Sequence, residues 1–227
     1  MNDGVVTDMV KIVAIIADGT IRDHRFVGRK LAEAEELCII CADGAARHLR
    51  QLNRVPAFII GDMDSADRAT LDYFEKKGST ILKYPVHKDE TDTQLALEQA
   101  CDMLHPDEVW IFGALGGRID HSLANISLLI LGVKRGVRVK IIEEACELFV
   151  VTNSAIIDGV AGQTVSLLPL STEASGITLE GFEYPLSDGV MEIGRPYGIS
   201  NTLITSRGRI SVTSGYLLVI RYFREEE

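Results

Sequence analysis

Five short segments of this chain concentrate residue types able to do chemistry: CADGAA (41–46), GDMDS (61–65), HKDETD (87–92), GALGGRIDH (113–121) and GISNT (198–202). GDMDS is the sharpest. Asp62 and Asp64 are two apart, and in an extended segment that spacing puts both carboxylates on one side, roughly 6–7 Å from each other. Two like charges that close are costly unless a cation sits near them. Carboxylate oxygens are the hard ligands Mg²⁺ prefers, and Mg²⁺ commonly bridges protein to phosphate. A plain turn, with Asp64 or Ser65 capping the next helix, accounts for one acid and not for both.

The other segments are individually less specific. In HKDETD, Asp89 suits a helix N-cap and Asp92 the first turn, where negative charge is favoured. The same cluster of Lys88, Asp89, Thr91 and Asp92 can instead set a lysine and helix amides against phosphate while a carboxylate holds metal. In GALGGRIDH, Gly113, Gly116 and Gly117 let backbone approach a ligand, and Arg118 can grip phosphate oxygens in bidentate fashion. Asp120 equally suits a helix cap, and His121 a surface position at a helix start. No Gly-Lys-Ser/Thr follows, so this is not a Walker A loop. Asp43 and Gly44 fall at a strand-to-helix turn, where capping and ligand contact are both open. Ser200 and Asn201 can hydrogen-bond a polar heterocycle or simply form a turn. The histidines show no metal-ligand spacing, and no Gly-x-Ser-x-Gly elbow offers a nucleophilic serine.

These segments sit at regular places in the pattern. Strands are expected at 10–17, 38–43, 57–62, 79–85, 108–114 and 137–143. Helices are expected at 26–37, 44–52, 66–78, 91–104 and 121–136. Such βα repetition implies a mostly parallel sheet with helices on both faces, and near-continuous Val/Ile runs are what such strands require. Ligands bind such sheets outside the carboxyl ends of the strands, and four of the five segments lie there. After about residue 146 the pattern becomes eight short β-like runs separated by turn residues, the signature of an antiparallel sandwich or barrel. The fold class is therefore α/β followed by all-β: an N-terminal, mostly parallel α/β domain (1–145) and a C-terminal antiparallel β-sandwich (146–227).

Composition narrows the classes. With 46% hydrophobic and 25% charged residues, 227 residues suffice for a sizeable core in one large domain or two small ones. A net charge of -10 leaves no basic footprint for a general nucleic-acid binder. An acidic protein handling a phosphorylated substrate needs a divalent cation or well-placed basic groups. No run of 18 apolar residues suggests a spanning helix, and MNDGVVTDMVK lacks the basic start and apolar run of a secretion signal. Cys38 and Cys41 lie three apart on an expected strand, so they point to opposite faces and make a poor disulfide or metal clamp. Inert thiols and a cytoplasmic location fit.

Taken as an ordered set, CADGAA, GDMDS, KDETDT, GALGGRIDH and GISNT resemble the thiamine pyrophosphokinase family. The set runs from residue 41 to residue 202, and the two-part architecture covers the chain. The resemblance implies an α/β catalytic domain joined to a β-sandwich, in a homodimer whose active sites lie at the subunit interface. It implies transfer of the pyrophosphoryl group of ATP to the thiamine hydroxyl, with Mg²⁺, giving AMP and thiamine diphosphate. Position by position, Asp62, Asp64 and Asp92 match the magnesium-binding acids. Asp43, Lys88, Asp89, Thr91, Arg118 and His121 match the polar shell around nucleotide and phosphates. Asp120 matches the acid after the Gly-Arg pair, and either it or Asp92 could take the hydroxyl proton. Asp62, Asp64, Asp92, Arg118 and Asp120 form the implied catalytic set. Ser200 and Asn201 match the thiamine-facing pair. Ala45 stands where the family usually has a second Gly. Some members stack thiamine on a Trp of the last strand, whereas the only Trp here is Trp110; Tyr216, Leu217 and Leu218 occupy that segment. The missing Trp leaves another hydroxymethyl heterocycle, such as a pterin, as the rival substrate. A binding protein without turnover is the rival from another class.

Overall fold

A computed structural model of the chain describes residues 11–223. The N-terminal segment read above for a secretion signal, and Val10 of the first expected strand, lie outside the described residues. The chain divides into two compact units, one comprising residues up to 125 with 135–138, the other 126–134 with 139 onward.

In the first unit, β1 (Lys11–Ile16), β2 (Glu36–Ala42), β3 (Phe58–Gly61), β4 (Thr80–Lys83) and β5 (Glu108–Phe112) form a parallel array in the order β5-β1-β2-β3-β4. Val13 to Ile16 of β1 and Val109, Ile111 and Phe112 of β5 are fully buried, each of the Val, Ile and Phe side chains contributing about 1.5–3 kcal/mol by burial. This is why these strands read as unbroken apolar runs. The chain steps outward from β1 through β2 and β3 to β4, then returns to place β5 on the other side of β1. That reversal makes the gap between the exits of β1 and β5 the topological switch point, where open α/β sheets bind ligands.

The helices start and stop for local reasons. Asp23 caps α1 (His24–Ala32), its carboxylate accepting from Arg25 N at 2.8 Å. Helix α2 (Ala46–Leu52) follows a short 3₁₀ turn at Asp43–Ala45 and ends on Asn53 in the left-handed conformation. Asp67 caps α3 (Arg68–Lys76) through Thr70 N at 2.9 Å, so neither Asp64 nor Ser65 is that cap. Thr91, and not Asp89, caps α4 (Asp92–Gln99) through Gln94 N at 3.2 Å. The expected helix 91–104 is thus α4 continued by a π-helical stretch, Ala100–Leu104. Asp120 lies inside the first turn of α5 (Ile119–Arg135) rather than before it.

In the second unit, β6 (Arg138–Ile142), β7 (Cys146–Val151), β14 (Leu217–Tyr222), β9 (Thr164–Pro169) and β12 (Asn201–Thr202) are joined in that order by antiparallel pairing. A four-stranded antiparallel sheet has the order β11 (Leu186–Glu192), β10 (Glu173–Glu180), β13 (Arg207–Ser211), β8 (Ser154–Asp158). One core joins the two sheets, with Val165, Leu167 and Val219 from the first and Ile157, Ile177 and Ile210 from the second. This is a β-sandwich. Together the two units bear out the α/β plus all-β class. The cysteines Cys38, Cys41, Cys101 and Cys146 are free, and burial pushes the Cys41 thiol well up from its ordinary value. Among the described residues no helix is long and apolar enough to cross a membrane.

Candidate active site

A cavity of about 420 Å³ opens at the switch point, lined by residues from the exits of β1, β2 and β5, the segment before α4 and the start of α5. Lys88, Thr91, Asp92, Arg118 and His121 line it, as the sequence suggested. Asp92 also belongs to a carboxylate group at its margin. Single oxygens of Asp43, Asp62 and Asp92 all lie within 4.8 Å of one another. Each arrives from a different place: Asp43 from the turn after β2, Asp62 from the residue after β3, Asp92 from the first turn of α4.

Glycine at 61 makes this convergence possible, because an added β-carbon there would stand 2.6 Å from Asp43 Cβ and 3.0 Å from Asp92 Cγ. Asp43 is 1% exposed. Its Oδ2 accepts from Ser65 N at 3.0 Å, while its Oδ1 is buried with no hydrogen-bond partner. Asp92 Oδ1 likewise receives no hydrogen bond and is met by an ion pair with Lys88 Nζ at 3.0 Å. Lys88 Nζ also stands 3.7 Å from Asp62 Oδ2. Buried carboxylate oxygens without donors are costly, and a hard cation is the group that would satisfy them. The donor set therefore fits a divalent ion.

The electrostatics agree. Burial, then the charges of Asp92 and Asp62, push the Asp43 carboxyl above its ordinary range despite the Ser65 N–H. Asp62 moves the other way: partial burial works to raise it, but hydrogen bonds from Asp64 and the Lys88 ammonium outweigh that and hold it low. Burial alone would lower Lys88, but Asp92 and Asp62 more than offset it and hold its ammonium up.

The structure departs from the sequence expectation at Asp64, Asp43 and Asp89. The segment Asp62-Met63-Asp64 is not extended, since Met63 has a left-handed φ of 65°. The chain turns there, so the Asp64 N–H folds back onto Asp62 Oδ1 at 3.1 Å. Asp64 itself is exposed and accepts from Ser65 Oγ at 2.9 Å. Asp43, assigned above to the nucleotide shell, joins the clustered acids instead. Asp89 is exposed and is not among the cavity residues. Arg118 and Asp120 are mutually paired, Arg118 Nε donating to Asp120 Oδ1 at 3.1 Å and Nη2 to Oδ2, and both are largely exposed. That pairing holds the Asp120 carboxyl down at about 2. The His121 N–H donates to the same carboxylate at 3.0 Å.

The cavity residues Asp18, Gly19 and Asn125 went unread in the sequence, as did Arg47 and His48, which hold the cavity loops from behind. Asp18 and Gly19 follow β1, and Arg47 donates to the Asp18 carboxylate, to Asp18 O at 2.9 Å and to Gly44 O at 2.9 Å. His48 donates through Nε2 to Gly19 O at 2.9 Å, so its Nδ1 accepts from His24 Nε2 at 3.1 Å. Burial lowers the His48 pKa, in keeping with that neutral form. Asn125 Nδ2 donates to Ala114 O at 2.8 Å. Gly19 permits the β1 and β5 exits to touch, since a β-carbon on it would lie 2.3 Å from Gly113 O. A signal was present: the triplet Ala-Asp-Gly ends β1 (17–19) as it ends β2 (42–44), and the parallel pairing of Ile16 with Cys41 extends to bring the two triplets level.

In the second unit, Asn201 is 4% exposed. Its Oδ1 accepts from Tyr184 N at 3.0 Å and Thr202 N at 2.9 Å, and its Nδ2 donates to Tyr184 O at 2.9 Å. Its amide is thus occupied with backbone. Ser200 is exposed, its N–H donating to Ser166 Oγ at 3.0 Å. Leu217 and Leu218 are buried, and Trp110 lies in β5 with Nε1 donating to Glu108.

Parallel sheet, switch-point cavity and converging carboxylates, with a β-sandwich following, define a two-unit α/β protein of the doubly wound ligand-binding class. The chain belongs to the thiamine pyrophosphokinase family. Residues 29–141 match the family model of the thiamin pyrophosphokinase catalytic domain, and residues 153–217 that of the vitamin B1 binding domain. The chain is 36% identical to the thiamine pyrophosphokinase of Bacillus subtilis over 169 residues, covering 74% of this chain and 78% of that one. It is similar to the crystal structure of a Bacillus subtilis thiamine pyrophosphokinase, with a TM-score of 0.83 at 31% identity, over 93% of this chain and 99% of the other. A Geobacillus thermodenitrificans structure matches with a TM-score of 0.79 at 28% identity, over 95% and 99%.

Proposed function

We propose that the chain transfers the pyrophosphoryl group of ATP to the thiamine hydroxyl, releasing AMP and thiamine diphosphate, in a Mg²⁺-dependent reaction. Family membership supports the two substrates. The observation that carries the metal is the buried, donorless Asp43 Oδ1 among converging carboxylates at the margin of the cavity. Asp43, Asp62 and Asp92 would hold the ion, with Asp64 contributing from the same loop as Asp62. Bound there, Mg²⁺ would offset triphosphate charge and make the attacked phosphorus more electrophilic.

The remaining work is alignment and charge neutralisation. Lys88 and Arg118 supply positive charge on two sides of the cavity, and Thr91, with the first amides of α4, suits phosphate oxygens. A carboxylate held near 2 is a weak base at neutral pH, so Asp120 serves to orient Arg118. Asp92 is left as the acid placed to accept the hydroxyl proton. Residues 1–145 are the catalytic part and 146–227 the thiamine-binding part, with Ser200 offering its free hydroxyl to the substrate. The working form is a homodimer with its active sites at the subunit interface. Exposed Tyr184, Ile193 and Ile204 on the second unit support an apolar contact there, and sedimentation at micromolar concentration tests it.

The decisive assay is incubation with ATP, Mg²⁺ and thiamine. AMP and thiamine diphosphate in equal amounts are expected, with loss of both on chelation. ADP as the nucleotide product, or turnover indifferent to chelator, would overturn the reading.

A further inference from the structure

Lys88 sets its ammonium directly against the carboxylate group. Its side chain is 12% exposed, and its ammonium lies between Asp92 Oδ1 at 3.0 Å and Asp62 Oδ2 at 3.7 Å. Two of the three acids fitted to the divalent ion are thus already facing a positive charge. We propose that Lys88 is a resident counter-ion, whose ammonium stands among the carboxylates in the metal-free protein and passes to nucleotide phosphate when the ion enters. The proposal rests on the Mg²⁺-dependent reading above.

Three acids brought within 4.8 Å repel one another, so the metal-free site needs a positive charge to stay assembled. A divalent ion and an ammonium cannot share the same two oxygens, because like charges at such separations in a half-buried site repel strongly. Lysine is suited to the exchange: its charge is compact and rides on a flexible four-carbon stem, and it already lines the cavity beside Asp92. A phosphate chain entering that cavity offers anionic oxygens to the displaced ammonium.

A thermodynamic consequence follows. Free metal must displace Lys88 with nothing to receive it, whereas metal arriving with a polyphosphate brings the acceptor. Metal and nucleotide therefore favour one another's binding, by a factor in the usual range for coupled sites, about 5- to 150-fold. The site is thereby biased toward the metal–nucleotide complex over the bare ion.

The test uses Mn²⁺ as the probe ion, titrated into the full chain with and without a non-hydrolysable ATP analogue, free Mn²⁺ being read by electron paramagnetic resonance. Lys88→Gln should bind Mn²⁺ alone about tenfold more tightly than the parent, and the tightening produced by the analogue should shrink correspondingly. Lys88→Arg, which keeps the charge, should stay near the parent, and it serves also if the Gln variant folds poorly. Arg47→Gln removes a positive charge beside the same cavity, where it pairs with Asp18 and not with Asp43, Asp62 or Asp92, and so calibrates the long-range effect. If Lys88→Gln gains no more than Arg47→Gln, or if the analogue tightens Mn²⁺ equally in parent and Lys88→Gln, the counter-ion role is overturned. Asp62→Asn separates the two readings. If it abolishes Mn²⁺ binding while Lys88→Gln changes nothing, only the role of Lys88 fails; if Mn²⁺ binds equally with and without Asp62, the cation site itself is wrong and both fail.

Discussion

Gly61 lies so close to Asp43 that a β-carbon placed on it would stand 2.6 Å from the Asp43 Cβ. The last residue of β3 thus sets how near the acid of the neighbouring strand exit can come. Gly61→Ala should push Asp43 and Asp92 apart. Overpacking of this kind costs about 1–3 kcal/mol, readable by urea denaturation. Mn²⁺ affinity should fall with it, and an Ala variant with unchanged metal binding would show that the convergence of acids is not needed.

Asp43 gives a stability prediction whose sign runs against intuition. Its pKa is raised in the folded chain, mainly by burial. The native state therefore holds that proton more tightly than the unfolded state, and the stability this brings is lost as pH rises through the window above the ordinary carboxylate value. Above that window the buried charge is a burden unless a cation is present. Asp43→Asn, which still accepts from Ser65 N, should melt higher than the parent in chelator at pH 7. The difference should vanish on acidification below the ordinary carboxylate value of 3.8. A parent protein more stable than Asp43→Asn in chelator at pH 7 would contradict the raised pKa.

Arg118 and Asp120 can be separated by titration. With its partner in place the Asp120 carboxyl titrates at about 2. Its ionised form is favoured above the ordinary value, and that preference is lost as pH falls through about 2. In Arg118→Gln the carboxyl should return toward the ordinary range in a carbon-detected NMR titration. Both side chains are largely exposed, so the titration, and not the melting temperature, is the readout.

Ser200 and Asn201 are neighbours with opposite expected phenotypes. Asn201→Ala strands the Tyr184 N–H and C=O and should cost about 1–3 kcal/mol of stability. Ser200→Ala should leave the melting curve in place and raise the KM for thiamine several-fold. Reversal of the two effects would move the substrate contact onto the amide.

How much of this was legible beforehand depends on the kind of interaction. The parallel strands declared themselves because β1 and β5 are buried on both faces and are apolar after their first residues, Lys11 and Glu108. The eight C-terminal strands did so through turn residues at regular intervals. The cavity residues at 88, 91, 92, 118 and 121 were visible as polar residues at strand exits. The grouping of acids was only half visible, because it depends on backbone conformation: the left-handed Met63 turns the Asp62–Asp64 segment, and Gly61 admits Asp43. Helix caps misled where several candidates stood close together, as with Asp89 and Thr91. Arg47, His48 and Asn125 act through backbone carbonyls of the strand-exit loops, and nothing in their own neighbourhoods announces such partners.

Those last residues have a consequence for how the cavity meets its ligand. Arg47 holds the carbonyls of Asp18 and Gly44, His48 that of Gly19, and Asn125 that of Ala114. The loops after β1, β2 and β5 are therefore fastened to helices before anything binds. Ordering loops and side chains is a large part of the entropy lost on association; a floor already tied down spares the incoming molecule that loss, leaving Lys88 as the moving part.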